Sequence, residues 1–238
     1  MILTNKIKTK AVLFDLVDTL IYTKDPVGYV YSNVARSFGF ETDYKKLDKA
    51  FEEIAQKFSP PVGGEIEEKK WWRNVVFNTF KMCECELGNK FEEIFEILFK
   101  EFTRKSAWAV YPDVLPMLCE LSVGTNGRLP QQIGLVSNFD SRVETILKGL
   151  DLFKYFSCLS YSGKVGFSKP DLRIFQFALE ELNILPEEAI YVGDSLNIDY
   201  YPACDMNIRA LLIDRDKKAL IKDIKTISSL SEIFDFIV

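Results

Sequence analysis

The 238-residue sequence contains no histidine. For this chain acting alone, that absence excludes every mechanism built on an imidazole, including Ser-His-Asp and Cys-His arrangements and His-ligated zinc. Any catalysis has to run on carboxylates, lysine, hydroxyl groups and backbone. Cysteine is sparse: Cys83, Cys85, Cys119, Cys158 and Cys204 make an odd number, and no CxxC pair points to zinc or redox chemistry. The expectation is free, mostly buried thiols. Long apolar runs are missing as well. The opening MILTNKIKTK alternates lysines with single apolar residues, unlike a secretory signal, and no later run reaches membrane-spanning length. Blocks of positive charge are absent, for the net charge is -5 and the lysines are dispersed among glutamates. Such a surface has no general attraction for nucleic acid or anionic lipid. The expected partner is a small molecule, with no nucleic acid and no membrane, and the expected location is the cytoplasm by default, with a nucleus or organelle as the alternative.

What is present is ample apolar content, 47% of residues, enough to bury a full core. Short apolar runs at 11–16 (AVLFDL), 132–137 (QIGLVS), 189–193 (AIYVG) and 208–213 (IRALLI) read as strands buried on both faces of a parallel sheet. Helical patterns at 113–122, 140–150 and 171–183 lie between them, and this alternation predicts an open α/β sheet with right-handed crossovers. Residues 26 to 105 break the alternation with four amphipathic patterns and no convincing strand. Val27, Tyr31, Val34 and Phe38 share one face; Tyr44, Leu47, Phe51, Ile54 and Phe58 share the next, which Pro60 and Pro61 stop. Trp72, Val75, Val76 and Phe80 mark a third helix, and Phe91, Ile94, Phe95, Leu98 and Phe102 a fourth. A shared bundle core accounts for these stripes. Trp71 and Trp72 are adjacent, so both cannot point squarely inward, and one is expected near the cleft beneath the bundle. The SVGTNGRLP stretch reads as a surface loop.

In open α/β sheets ligands bind at the carboxyl ends of the strands, so residues just beyond each apolar run share a crevice. Those residues are Asp15, Val17, Asp18 and Thr19 after the first run, Ser137 and Asn138 after the second, and Asp194 and Asp199 after the third, joined by Lys169 in a loop before a helix. Any one acid there could be a structural cap, but the set has a charge logic. Asp15 and Asp194 would repel unless a divalent cation lay between them, and carboxylate oxygens suit Mg²⁺. Lys169 would offset the remaining charge, while Ser137 and the Asn138 backbone N–H could hold a phosphoryl oxygen.

The segments FDLVDTL (14–20), LVSN (135–138), SKPD (168–171) and GDSLNID (193–199) resemble, in order and spacing, the four motifs of the haloacid dehalogenase-like hydrolase superfamily. The resemblance implies a Rossmann-like core, residues 1–20 and 106–238, with an inserted helical-bundle cap of the C1 type, residues 21–105. It further implies Asp15 as the nucleophile, Lys169 as its partner, and phosphoryl binding by Thr19, Ser137 and Asn138. Mg²⁺ would be held by Asp15, the Val17 carbonyl and Asp194, with Asp199 as a ligand or just behind. Hinges are expected near Tyr22 to Pro26 and Phe102 to Tyr111.

One departure stands out. Phosphatases of this family usually carry a second aspartate two residues after the first, which protonates the leaving group and then activates water; here that residue is Val17. Asp18 follows at the pattern's glycine, and neighbouring side chains in an extended segment point to opposite sides. Loss of a general acid is worth about 10² to 10⁴ in rate. Three functions are compatible: a slow phosphate-ester phosphatase, a C–halogen hydrolase that needs no leaving-group protonation, or a binding protein on a hydrolase scaffold.

Overall fold

A computed structural model of the protein describes residues 8–58, 60, 62–124, 127–216 and 223–238. The first seven residues, Pro61 and the middle of the 122–130 loop, on which sequence expectations fell, lie outside the described residues. In chain order the regular elements are β1 (Ala11–Phe14), β2 (Ile21–Thr23), α1 (Val27–Ser37), α2 (Tyr44–Lys57), α3 (Glu65–Met82), α4 (Phe91–Glu101), β3 (Trp108–Val110) and α5 (Val114–Val123). They continue with β4 (Gln132–Ser137), α6 (Arg142–Gly149), β5 (Cys158–Tyr161), α7 (Ser162–Val165), α8 (Arg173–Leu182), β6 (Ala189–Gly193), α9 (Tyr201–Asp205), β7 (Arg209–Ile213) and β8 (Thr226–Ile227).

The fold is α/β. A six-stranded sheet has the order β5-β4-β1-β6-β7-β8, every pairing parallel. All four residues of β1 are fully buried because the strand has helices on both faces. Val12 and Phe14 pack into one core with α5 and α6, while Ala11 and Leu13 pack into the other with α8 and α9. The two-residue period of a strand divides its side chains between the layers, and burying each Leu or Phe stabilises the fold by about 1.5–3 kcal/mol.

Helices α1 to α4 build a separate core from Tyr31, Leu47, Val76, Phe80, Ile94 and Phe95. Helices α1 and α2 approach so closely at Gly28 that a Cβ there would lie 2.2 Å from the Asp48 backbone nitrogen. The helical segment is joined to the sheet by two chain crossings, and these pair as an antiparallel ladder, Ile21 opposite Val110. Strands of three residues are too short for periodicity to reveal, which is why β2 and β3 were not anticipated, nor the two-residue β8. Strand β5, CLSY, is short and partly polar for the same outcome. No helix among the described residues is long and apolar enough to cross a membrane.

The thiols are free, as expected, but mostly not buried: Cys158 alone is, Cys83 and Cys85 are half-buried, and Cys119 and Cys204 are exposed. Cys119 lies on the outer face of α5 and Cys204 on α9, helices whose opposite faces supply the core.

Candidate active site

The strand ends of β1, β4 and β6 converge on one acidic centre. Asp15 directly follows β1, and its N–H donates to the Val192 carbonyl at 2.9 Å, extending the ladder by one residue. The buried Lys169 ammonium donates to Asp15 Oδ1 at 2.6 Å, to Asp199 Oδ1 at 2.6 Å and to the Tyr191 hydroxyl at 3.0 Å. Its three donors are thereby satisfied. Carboxylate oxygens of Asp15, Asp194 and Asp199 lie within 4.8 Å of one another.

Local sequence explains how each group is held. Asp199 sits on a wide helical turn, Leu196–Tyr200, and its Oδ2 accepts the Ser195 N–H at 3.0 Å. This brings the carboxylate against Gly193, where a Cβ would stand 2.4 Å from Asp199 Cγ, so only glycine fits. Asn138 clamps the loop carrying Lys169, donating from Nδ2 to the Lys169 carbonyl at 2.9 Å and accepting its N–H at 2.6 Å. The Asn138 side chain is therefore committed to the loop. Ser137 is buried at the end of β4, and Thr19 is fully buried with an Oγ1 that has no hydrogen-bond partner among the described residues.

Electrostatics at the centre is dominated by crowded acids. Burial pushes the Asp15 carboxyl up, against the pull of Lys169, with Asp199 adding to the rise. Solvent reaches Asp194, yet the surrounding protein and then the charges of Asp15, Asp199 and Asp18 push it up to about 8. Burial opposes charge on Lys169, but Asp15 and Asp199 more than offset it and hold the ammonium above its ordinary value. Three carboxylates against one lysine leave an excess of negative charge, and an all-oxygen donor set is the kind that Mg²⁺ takes. The residues present fit such an ion.

Asp18 does not follow the alternation expected of an extended segment. Its backbone is left-handed, φ 63°, inside a tight turn in which its N–H donates to the Ile21 carbonyl at 2.7 Å. That conformation suits the glycine of the family pattern. Its side chain is exposed, and Val17 is half-buried.

Two features escaped the sequence reading. Tyr191, inside an apolar strand, donates to Asp199 Oδ1 at 2.6 Å and accepts from Lys169; a buried tyrosine hydroxyl requires such partners, so a lone tyrosine in AIYVG was the available signal. The second is the junction between helices and sheet. Arg142 donates from Nε to Asp140 Oδ1 at 2.8 Å and from Nη2 to Oδ2 at 2.5 Å, and its guanidinium stacks over Phe99 at 4.3 Å and Trp72 at 4.9 Å. The Trp72 indole N–H donates to Asp140. Glu68 of α3, buried, accepts the Ser141 N–H at 3.1 Å and its hydroxyl at 2.5 Å. Under this junction lies a cavity of about 620 Å³, bounded by Val17, Asn138 and Lys169 on the sheet side and by side chains of the helical segment, both Trp71 and Trp72 among them.

The family model for haloacid dehalogenase-like hydrolases matches residues 9–203. The chain is 31% identical over 216 residues to the human haloacid dehalogenase-like hydrolase domain-containing protein 3, covering 89% of this chain and 84% of that one. Among solved structures it resembles an HAD phosphatase from Thermococcus onnurineus, 25% identical with a TM-score of 0.67, over 96% of this chain and 97% of that one. The HAD-hydrolase YfnB from Bacillus subtilis, bound to magnesium, shares the fold with a TM-score of 0.72 at 16% identity, over 96% and 98% of the two chains.

Proposed function

Because the chain belongs to the haloacid dehalogenase-like hydrolase family, we propose that it hydrolyses phosphate esters through a covalent intermediate on Asp15. The observation that carries this reading is the pairing of Asp15 with the buried Lys169 at 2.6 Å, beside Asp194 and Asp199. An ionised carboxylate held beside a fixed cation is a positioned nucleophile. Asp15 attacks phosphorus, the P–O bond to the leaving group breaks, and that oxygen departs with the electron pair. Water then attacks the acyl phosphate, releasing inorganic phosphate and restoring the carboxylate. Ser137, Thr19 and the Asn138 backbone N–H are assigned to the phosphoryl oxygens. Mg²⁺, held by Asp15, the Val17 carbonyl and Asp194 with Asp199 at hand, would supply charge neutralisation for the transferring group. The magnesium bound by the Bacillus subtilis hydrolase supports this assignment.

Residues 1–20 and 106–238 would form the core and residues 21–105 a cap, which opens for substrate at the paired crossings. Val17 has no proton to give, so solvent must protonate the departing oxygen, and turnover on ordinary alkyl esters is expected to be about 10² to 10⁴ below that of an enzyme with the acid. The test is hydrolysis of p-nitrophenyl phosphate with Mg²⁺ by the wild type, Asp15→Asn and Val17→Asp. Activity that vanishes in Asp15→Asn and rises in Val17→Asp is expected; activity unchanged in Asp15→Asn would falsify the assignment. Val17 also favours a second reading, displacement of halide from a 2-haloacid, which needs no leaving-group acid. Halide release is the assay that separates the two.

A further inference from the structure

Resting on the reading of the site as a phosphate-ester hydrolase, we propose that its substrate is an aryl phosphate, whose aromatic body seats in the cavity between the helical segment and the sheet. Two observations, of different kinds, lead to the same class.

The first is the cavity. At about 620 Å³ it falls within the ~300–1,000 Å³ of sites for drug-sized ligands, far more than a phosphoryl group or a two-carbon acid fills. Its walls are mainly aromatic and aliphatic, with Val17, Tyr31, Phe51, Trp72 and Phe99 among them. The charged side chains that reach it are already paired: Lys57 with Glu53, Arg142 with Asp140, and Lys169 with Asp15 and Asp199. A sugar phosphate would bring several hydroxyls into this space with few partners, at a cost of about 1–3 kcal/mol for each one left unpaired. A flat apolar body loses nothing there. Trp71 lines the cavity, and its indole N–H, closed to solvent, has no hydrogen-bond partner among the described residues.

The second is the leaving group. With valine where the acid stands in related phosphatases, the departing oxygen leaves as an anion. An alkoxide is a poor leaving group because its conjugate acid is about as weak an acid as water. A phenoxide, with a conjugate acid near 10 as in tyrosine, is a far better one. Val17 also lines the cavity, so the residue that cannot protonate the leaving group lies against the body that makes protonation unnecessary.

The experiment compares kcat/KM, with Mg²⁺, for 1-naphthyl phosphate, glucose 6-phosphate and acetyl phosphate in the wild type and in Ala55→Trp, a substitution at a half-buried position on α2 that narrows the cavity. Binding of 1-naphthol by calorimetry is measured alongside. A preference for 1-naphthyl over glucose 6-phosphate of at least about tenfold is expected, with the naphthyl-to-acetyl ratio falling by at least about tenfold in Ala55→Trp. Equal or better turnover of glucose 6-phosphate overturns the aryl class while leaving the hydrolase reading intact. If no ester is turned over, the hydrolase reading fails. In that event, 1-naphthol binding that Ala55→Trp weakens still supports an aromatic ligand in the cavity, and absence of binding overturns it.

Discussion

At the scale of single residues, Asp194 is held in the site against its own stability. Its carboxyl is raised to about 8 by burial and then by Asp15 and Asp199. The folded state therefore binds more protons than the unfolded chain between an ordinary aspartate value near 4 and about 8, and stability falls as pH rises through that window. Asp194→Asn is expected to stabilise the metal-free protein at neutral pH and to flatten this dependence, while abolishing Mg²⁺-dependent turnover. Solvent screening at the exposed carboxylate should keep the gain near 1 kcal/mol, roughly 2–4 °C in melting temperature. Melting curves at pH 5.5 to 8.5, roughly the window that linkage defines, check this; a destabilised variant would show that crowding of the acids is not the governing term. Most of the candidate residues could be picked out in sequence because they close an apolar run or follow it by a few positions, whereas Lys169 stood only in a loop before a helix. Tyr191 could not be picked out, because a tyrosine inside a strand looks like any other core aromatic until its hydroxyl is seen between Lys169 and Asp199.

At the scale of elements, α3 is tied to the sheet layer by Trp72 and by one buried carboxylate. Glu68 caps the start of α6 by accepting both the N–H and the hydroxyl of Ser141, so a helix of the inserted segment completes the hydrogen bonding of a helix of the sheet layer. Glu68→Ala should lower stability by about 1–3 kcal/mol, because the half-buried Ser141 loses two hydrogen bonds to a charged acceptor, whereas Glu68→Gln should cost much less. Urea midpoints separate the two, and X-ray scattering should show a larger radius of gyration for Glu68→Ala if the contact holds the segments together. Nothing in the sequence foretold this pairing. Glu68 lies in an EIEEKK run that reads as a solvated helical face, and the Asp140–Ser141–Arg142 string that meets it lies 73 residues along the chain.

For the whole molecule, parallel strands buried on both faces surround β1, whereas the β2–β3 ladder is two strands of three residues at the crossings. Amide exchange should accordingly be slowest in β1, β4 and β6, through global unfolding, and faster in the ladder, through local opening. Equal protection in both would mean that the helical segment and sheet open only together. The alternation of apolar runs with helical patterns, the absence of histidine and the order of four short motifs were enough to give the α/β class and to point to acids gathered at the strand ends. Those are local properties: a two-residue or 3.6-residue period, and the residue that follows a strand, are written along the chain. What only the tertiary structure decided is what meets across it. The sharing of Lys169 among Asp15, Asp199 and Tyr191, the exclusion of any side chain at Gly193 and the aromatic cavity over Val17 all join residues brought together by the sheet's crossovers. Side-chain contacts of that range depend on packing between layers, for which a sequence period carries no distance.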